Sequence, residues 1–176
     1  MNSKRHILSL SENELAVFAV KTGAEKYRAS QIWDWIYKKY CLSFELMKNL
    51  PPELRKALDA NFAIKTAEAL DKKVDEKDGT AKFLIRFSDG ECVESASIPS
   101  PSRLTFCLSS QVGCPVACVF CASGAKGLSR NLSSTEIIEE FLLCAAESGS
   151  KPTNLVFMGV GEPLMNYSNL VEALNI

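Results

Sequence analysis

The chain has 176 residues, of which 47% are hydrophobic, and a formal net charge of -1. This length and composition suggest one or two domains with a buried core, and they exclude an intrinsically disordered chain. The near-zero net charge argues against a phosphate-binding field over the whole molecule. Residues 1–75 carry 13 basic and 10 acidic side chains and residues 76–176 carry 7 and 11, which favours RNA contact only weakly.

Targeting features are missing from the sequence. The chain does not open with a basic, apolar and small-residue signal segment, and no apolar run reaches the length of a membrane span. We therefore expect a cytoplasmic protein with no membrane partner. In that reducing compartment, the seven cysteines point away from disulfides.

Residues 1–75 are predicted to form a small helical domain. Ser11 to Glu14 resembles a helix start, and apolar positions recur at helical spacing before a Pro-Pro break, at Ile32, Trp35, Ile36 and Tyr40. Aromatic side chains at this spacing could stack RNA bases, but core packing is the better interpretation for Trp33, Trp35, Tyr37 and Tyr40. The neighbouring basic residues could contact phosphates or form a solvated helix face: Lys26, Arg28, Lys38 and Lys39.

Residues 76–101 are predicted to form a β-hairpin. Alternating apolar residues from Phe83 to Phe87 lead to an Asp89-Gly90 turn, and the returning strand runs from Cys92 to Ile98. Counting by two along that strand places Glu94 on its more apolar face. Two interpretations of Glu94 remain open: a charge that protects an edge strand from aggregation, or a desolvated general base.

Residues 102–176 alternate between strand and helix patterns, which predicts the parallel sheet or barrel of an α/β fold. A first strand covers Leu104 to Ser109, and a capping box at Ser133–Glu136 starts a helix that Gly149 ends. The apolar run Leu155 to Met158 is typical of a strand buried on both faces. Two such units cannot close a barrel, so we expect only the front part of one.

Three cysteines follow the first strand in a C-x-x-x-C-x-x-C run, at Cys114, Cys118 and Cys121. A closed zinc site would need a fourth ligand, and the chain has a single histidine, His6, far away in sequence. A redox pair would leave Cys114 unexplained. An iron-sulfur cluster with one open coordination position accounts for all three thiolates.

A glycine-rich segment, Gly159 to Pro163, follows the second predicted strand. Gly159 and Gly161 permit close backbone approach at the carboxyl end of a strand, where βα enzymes place ligands, and Glu162 could accept a hydrogen bond from an ammonium group. A tight turn with a surface glutamate is the alternative interpretation. The cysteine run in the preceding unit favours the ligand site.

Several short motifs together resemble a known family. They include Gly23-x-x-x-Tyr-Arg-Ala-x-Gln31, Asp78-Gly-Thr80, Val93-Glu94, Cys107-Leu-Ser-Ser-Gln-Val-Gly-Cys114, the cysteine run, Arg130-Asn-Leu132 and Met158-Gly-Val-Gly-Glu-Pro-Leu164. The chain resembles the radical S-adenosylmethionine methyltransferases that modify C2 of adenine in ribosomal and transfer RNA. The resemblance covers essentially the whole chain, and it implies an α/β fold: a helical N-terminal domain, a hairpin and an incomplete radical enzyme barrel.

The resemblance implies two cofactors. Cys114, Cys118 and Cys121 would hold three irons of a [4Fe-4S] cluster, and S-adenosylmethionine would chelate the fourth. Gly161 and Glu162 would help to bind its methionyl amino group. Phe120 would lie near its adenine, although loop packing explains that residue equally well.

The resemblance also implies a reaction. In the family, a cysteine near the carboxyl terminus is methylated, a deoxyadenosyl radical abstracts hydrogen from that methyl group, and the resulting carbon radical adds to adenine. Glu94 would match the proton acceptor, and Cys107 would resolve the protein–RNA link by forming a transient disulfide. No cysteine follows Cys144 in this sequence. We therefore expect a fragment that is inactive or severely impaired by itself.

The partners implied by the resemblance are 23S ribosomal RNA, transfer RNA and an electron donor such as flavodoxin or ferredoxin. Two alternative functions remain open from the sequence. One is the related family that methylates C8 of adenine in ribosomal RNA. The other is a noncatalytic, metal-stabilised RNA-binding module.

Overall fold

The chain divides into two units after Thr66 in a computed structural model that describes residues 4–176. Residues 1–3 of the predicted helical domain lie outside the described residues. The first unit contains the helices α1 (Glu12–Lys21), α2 (Arg28–Trp33) and α3 (Pro52–Asn61), and a parallel pair of short strands, β1 (Arg5–His6) and β2 (Phe62–Ala63). A π-helical turn, Asp34–Lys38, extends α2.

Hydrogen bonds at the helix ends and the spacing of apolar residues explain why the first unit is helical. The predicted start of α1 is confirmed, because the Ser11 hydroxyl accepts from Glu14 N and the Glu14 carboxylate accepts from Ser11 N. Ile32 and Ile36 are fully buried at the predicted spacing, whereas the four aromatic residues around them are only half-buried. The Trp35 ring lies 3.8 Å from Lys39 Nζ, so part of this ring is at the surface.

A five-stranded mixed sheet forms the second unit. Its order is β3-β4-β5-β6-β9, with β3 (Glu68–Val74), β4 (Ala81–Arg86), β5 (Cys92–Ser100), β6 (Arg103–Cys107) and β9 (Asn154–Val156). Neighbouring strands from β3 to β6 are antiparallel, and β6 pairs with β9 in parallel. The α/β class is therefore confirmed. Residues 68–74 are a strand, so the prediction that the helical domain extends to residue 75 is wrong there.

Helix α4 (Ser134–Ser148) covers one face of this sheet. The predicted capping box is confirmed between Ser133 and Glu136, and Gly149 ends the helix with φ 64°. The rings of Phe106 and Phe141 meet across the interface, with their centroids 6.0 Å apart. The buried side chains of the sheet alternate with exposed ones along β4, which places the core between the sheet and α4.

The remaining elements lie at the carboxyl end of β6 and β9. Strands β7 (Gln111–Gly113) and β8 (Leu128–Asn131) form an antiparallel ribbon, and a 3₁₀ turn (Pro163–Asn166) leads into α5 (Tyr167–Leu174). Strand β9 lies at the end of the sheet, and Leu155 is 41% exposed. The prediction that this strand is buried on both faces is therefore wrong for the described residues. None of the helices in residues 4–176 has the length and apolarity that crossing a membrane requires.

Candidate active site

The predicted cluster cysteines lie on one loop, residues 114–127, which we call the cysteine loop. The β7–β8 ribbon closes its base, where Cys114 N donates to Gly127 O at 3.0 Å. Gly113 permits this closure: it has φ 74°, and a Cβ atom there would lie 2.0 Å from Gly127 O. The glycine is therefore required by contact between the two backbone strands.

All three cysteines of the loop are free thiols. Cys114 and Cys118 are half-buried, and Cys121 is exposed. Hydrogen bonds from the Ser123 backbone and hydroxyl lower the pKa of the Cys121 thiol. Three soft sulfur donors on one accessible loop fit the donor set of an iron-sulfur cluster. In residues 4–176, however, no three His, Cys, Asp or Glu side chains are arranged to hold a metal ion.

The apolar side chains of the cysteine loop point away from the core. Phe120 is 89% exposed, and the neighbouring Val119 is fully exposed. Phe120 therefore does not pack within the loop, which removes one of its two interpretations. Burial of an exposed aromatic ring against a ligand would remove apolar surface from water.

The Gly159–Pro163 segment packs directly on the backbone that precedes the cysteine loop. A Cβ atom on Gly159 would lie 2.7 Å from Ser109 Oγ, and one on Gly161, which has φ 108°, would lie 2.7 Å from Gln111 Cβ. The two glycines thus permit close approach to the protein segment 108–111, and the approach of a ligand to them stays a prediction. The Glu162 carboxylate accepts from Leu164 N at 3.1 Å and caps the 3₁₀ turn.

Two buried amides connect these segments, and neither was predicted from the sequence to have a role in the site. Gln111 is fully buried; its Oε1 accepts from Glu162 N at 2.8 Å, and its Nε2 donates to Asn131 Oδ1 at 2.7 Å. Asn166 Nδ2 donates to the carbonyl oxygens of Ser110 and Leu132, both at 2.7 Å. Gln111 had appeared only as part of a family motif. The amides tie the Gly159–Pro163 segment to the base of the cysteine loop.

Arg130 fixes the same ribbon to the hairpin turn. Its Nε donates to Asp89 Oδ2 at 2.6 Å, and its two terminal nitrogens bind the Glu136 carboxylate at 2.9 and 3.0 Å. The hydrogen bond from Arg130 lowers the pKa of Asp89. A guanidinium group can hold two carboxylates in this way because its donors form a planar fork. Arg130 thereby joins β8, the hairpin turn and the start of α4.

The structure places the predicted catalytic residues Glu94 and Cys107 on the same face of the sheet. Cys107 pairs with Ala96 across the antiparallel β5–β6 ladder, and Glu94 lies two positions from Ala96 on the same face. Such diagonal neighbours are about 7–8 Å apart. The two side chains are thus close enough to act on one substrate.

The surroundings of Glu94 differ from both sequence interpretations. Strand β5 lies between β4 and β6, so the edge-strand interpretation is wrong. The Glu94 side chain is 58% exposed and binds Lys82 Nζ at 2.9 Å, so the prediction of a desolvated carboxylate is also wrong for the described residues. The buried face of β5 is instead the one that carries Val93, Ser95 and Ser97. A proton-accepting role for Glu94 stays a prediction.

Cys107 is a half-buried free thiol at the end of β6. Burial raises the pKa of this thiol, a hydrogen bond with the backbone of Met158 opposes that effect, and the Glu140 carboxylate adds to it. The thiol form is therefore favoured at neutral pH. A thiol in this state needs a proton acceptor before it can attack as a thiolate.

A pocket of about 610 Å³ lies between the hairpin turn and the cysteine loop. Its lining includes Cys92, Gly113, Ser123, Lys126 and Val160. The cysteine loop and the Gly159–Pro163 segment therefore both contribute residues to this cavity, and its role as a ligand site stays a prediction.

Known proteins resemble this chain over nearly its whole length. The family model described as "Ribosomal RNA large subunit methyltransferase N-terminal domain" matches residues 5–64. The protein named "Probable dual-specificity RNA methyltransferase RlmN" from Thermotoga sp. (strain RQ2) is 44% identical over 172 residues, which cover 98% of this chain and 50% of that relative. Its namesake from Akkermansia muciniphila is 42% identical over 178 residues, or 97% of this chain and 49% of the relative.

A solved structure agrees with the sequence relatives. The crystal structure of a radical SAM methyltransferase from Sphaerobacter thermophilus matches with a TM-score of 0.87 and 35% identity, over 98% of this chain and 51% of that one. The chain is thus similar to RlmN methyltransferases along nearly its whole length. It spans about half the length of the curated relatives it matches. The match also confirms the predicted fold class, because this chain superposes on about half of a radical SAM methyltransferase.

Proposed function

We propose that this chain is a member of the RlmN family and provides the cluster-binding and cofactor-binding part of an RNA methyltransferase that modifies C2 of adenine in 23S ribosomal RNA and in transfer RNA. One observation carries the proposal. The cysteine loop and the Gly159–Pro163 segment are fixed to the same ribbon by Gln111, in a fold that matches a radical SAM methyltransferase. The names of the relatives support RNA as the substrate class.

The cysteine loop would hold the iron-sulfur cluster through Cys114, Cys118 and Cys121. Its thiols are accessible, and the lowered pKa of Cys121 favours the thiolate that binds iron. Bound together, a [4Fe-4S] cluster and S-adenosylmethionine would supply a one-electron cleavage that generates a carbon radical. An electron donor such as flavodoxin or ferredoxin is required for that chemistry.

The remaining site residues would bind and orient the cofactor. Gly161 and Glu162 would receive its methionyl amino group, since a carboxylate accepts hydrogen bonds from an ammonium ion. The exposed ring of Phe120 is available to cover an adenine.

Glu94 and Cys107 would complete the reaction on the RNA. Adenine C2 is electrophilic and has no lone pair that could attack a sulfonium, so methylation there needs a radical route. Glu94 would accept a proton at its exposed carboxylate, and Cys107 would release the methylated base by forming a disulfide with the methyl-carrying cysteine. Residues 145–176 contain no cysteine. We therefore expect residues 1–176, assayed by themselves, to bind the cluster without methylating RNA.

Anaerobic reconstitution with iron and sulfide tests the cofactor part of the proposal. About four irons per chain, with an electron paramagnetic resonance spectrum that changes when S-adenosylmethionine is added, would support it. Cys118→Ser should lose the cluster, whereas Cys92→Ser, a half-buried free cysteine outside the loop, should retain it. Tight zinc binding without iron would contradict the proposal and favour a metal-stabilised binding module.

Mass spectrometry of RNA tests the reaction. The protein that carries these residues together with the family's methyl-carrying cysteine should produce 2-methyladenosine in 23S ribosomal RNA and transfer RNA. Production of 8-methyladenosine instead would refute the assignment of the target carbon. Loss of the product in Cys107→Ala, with the cluster content unchanged, would separate the thiol from the cluster ligands.

A further inference from the structure

Glu140 is a wholly buried carboxyl group beneath the sheet, on helix α4. Its Oε1 accepts hydrogen bonds from Ser95 Oγ and from Ser109 N, the latter at 2.8 Å. Its Oε2 is buried and has no hydrogen-bond partner in the part of the chain that the structure describes. Burial raises the pKa of Glu140 to about 8, so the group is mainly a neutral acid at pH 7.

The two contacts of Glu140 lie next to the predicted catalytic residues. Ser95 follows Glu94 on β5, and Ser109 lies two positions after Cys107. Glu140 therefore links the two strands on which those residues lie, from the face opposite to theirs. A purely apolar side chain at this position could fill the same space, but it would leave the Ser95 hydroxyl and the Ser109 N–H without an acceptor.

Ser109 is also the meeting point of a third segment. Its hydroxyl donates to Glu94 O at 2.7 Å and accepts from Val160 N at 2.9 Å. The absence of a side chain on Gly159 is necessary here, because a Cβ atom would lie 2.7 Å from Ser109 Oγ. The position of Ser109 thus affects the Glu94 strand, the Cys107 strand and the Gly159–Pro163 segment together.

We propose that Glu140 is a positioning residue for the Glu94–Cys107 pair: its carboxyl group holds Ser95 and Ser109, and through them it fixes the spacing of the strand ends that carry the pair. The catalytic meaning of this pair rests on the proposed function. The positioning itself does not, since it follows from contacts within the second unit.

The charge state of Glu140 provides a measurable signature. The titratable groups that respond to it are the thiols of Cys107 on β6 and Cys144 on α4, and ionised Glu140 raises the pKa of both. Burial has the larger effect on each thiol, and Glu147 acts on Cys144 as well. As the pH rises through the pKa of Glu140, the thiolate of Cys107 becomes harder to form.

The test is the pH profile of Cys107 alkylation by iodoacetamide in the purified protein, followed on the Cys107 peptide by mass spectrometry. Glu140→Gln retains a hydrogen-bond acceptor and cannot ionise. We expect it to fold and to alkylate Cys107 roughly two- to fivefold faster than wild type at pH 9, with little difference at pH 6. Glu147→Gln, an exposed charge removal on the same helix, should leave the profile unchanged.

Ser109→Ala separates position from charge. This variant retains the backbone N–H of residue 109, which donates a hydrogen bond to Glu140. It removes the hydroxyl, which donates to Glu94 O and accepts from Val160 N. Faster hydrogen exchange of residues 94–98 and 159–163 in this variant, and in Glu140→Leu if that variant folds, supports the positioning role. Identical alkylation profiles for wild type and Glu140→Gln, or unchanged exchange in Ser109→Ala, would overturn it. Neither readout requires a cluster or RNA, so failure of the proposed function is recognised separately by reconstitution.

Discussion

Replacement of Glu140 by glutamine should make the second unit less sensitive to alkaline pH. Burial raises the Glu140 pKa from 4.5 to about 8. The folded state therefore binds this proton more tightly than the unfolded state, and the resulting stability is complete below pH 4.5 and is lost as the pH rises to about 8. At about 1.4 kcal/mol per pH unit, the free energy of unfolding of wild type should fall by roughly 2–3 kcal/mol between pH 5 and pH 7. It should fall by about 1 kcal/mol more by pH 9.

The measurement must report the second unit specifically. Both tryptophans, Trp33 and Trp35, belong to the first unit, so intrinsic tryptophan fluorescence would follow the wrong part of the chain. Hydrogen exchange of the α4 peptide in increasing urea gives the required free energy. Wild type should lose stability relative to Glu140→Gln across this pH range, whereas Glu147→Gln should follow wild type. Parallel curves for wild type and Glu140→Gln would refute the assignment of a neutral buried acid.

Three further substitutions test the contacts around the cysteine loop. Gln111→Leu should abolish S-adenosylmethionine binding in equilibrium dialysis, because it releases the Gly159–Pro163 segment from the ribbon. The iron content should stay unchanged. Loss of iron as well would contradict a role for Gln111 in cofactor binding alone. Arg130→Lys should lower the free energy of unfolding by about 1–2 kcal/mol. The control Arg86→Lys, at an exposed ion pair, should lower the same free energy by less than about 1 kcal/mol. Gly161→Ala should lower the free energy of unfolding more than Gly127→Ala does in the same urea titration. Both glycines have positive φ, but only Gly161 lacks space for a Cβ atom. Equal effects would show that the packing at Gly161 is not tight.

The features that the sequence predicted correctly depend on local chemistry. The capping boxes at Ser11 and Ser133 and the stop at Gly149 each involve residues within one helical turn. The turn at Asp89-Gly90 is equally local: Gly90 has φ 88°, and strands β4 and β5 pair on either side of it. Such signals are visible in a single sequence because all the partners lie within a few residues.

Strand β3 and the environment of Glu94 could not be predicted from local sequence signals. Six of the seven residues of β3 are exposed, so its sequence shows no alternation of apolar and polar residues. Along β5, counting by two separated the two faces correctly but assigned the core to the wrong one. Ser95 and Ser97 are buried, and the Ser95 hydroxyl is satisfied by Glu140. A face with two serines is thus the inner one, because its polar group has a partner.

The polar contacts of the site join residues that are far apart in sequence. Ser95 and Glu140 are separated by 45 positions, and Gln111 and Glu162 by 51. Each partner is an ordinary polar residue by itself, and only the fold brings the two together. The cysteine run, in contrast, carries its chemistry in its own spacing. A sequence can therefore indicate which residues of this chain would bind a cluster, whereas the residues that hold the cysteine loop, the glycine segment and the Glu94–Cys107 pair in position emerge from the structure. Since the Gln111 and Glu140 side chains are buried, removal of either leaves its partners unsatisfied, and each substitution should affect the segments that its contacts join.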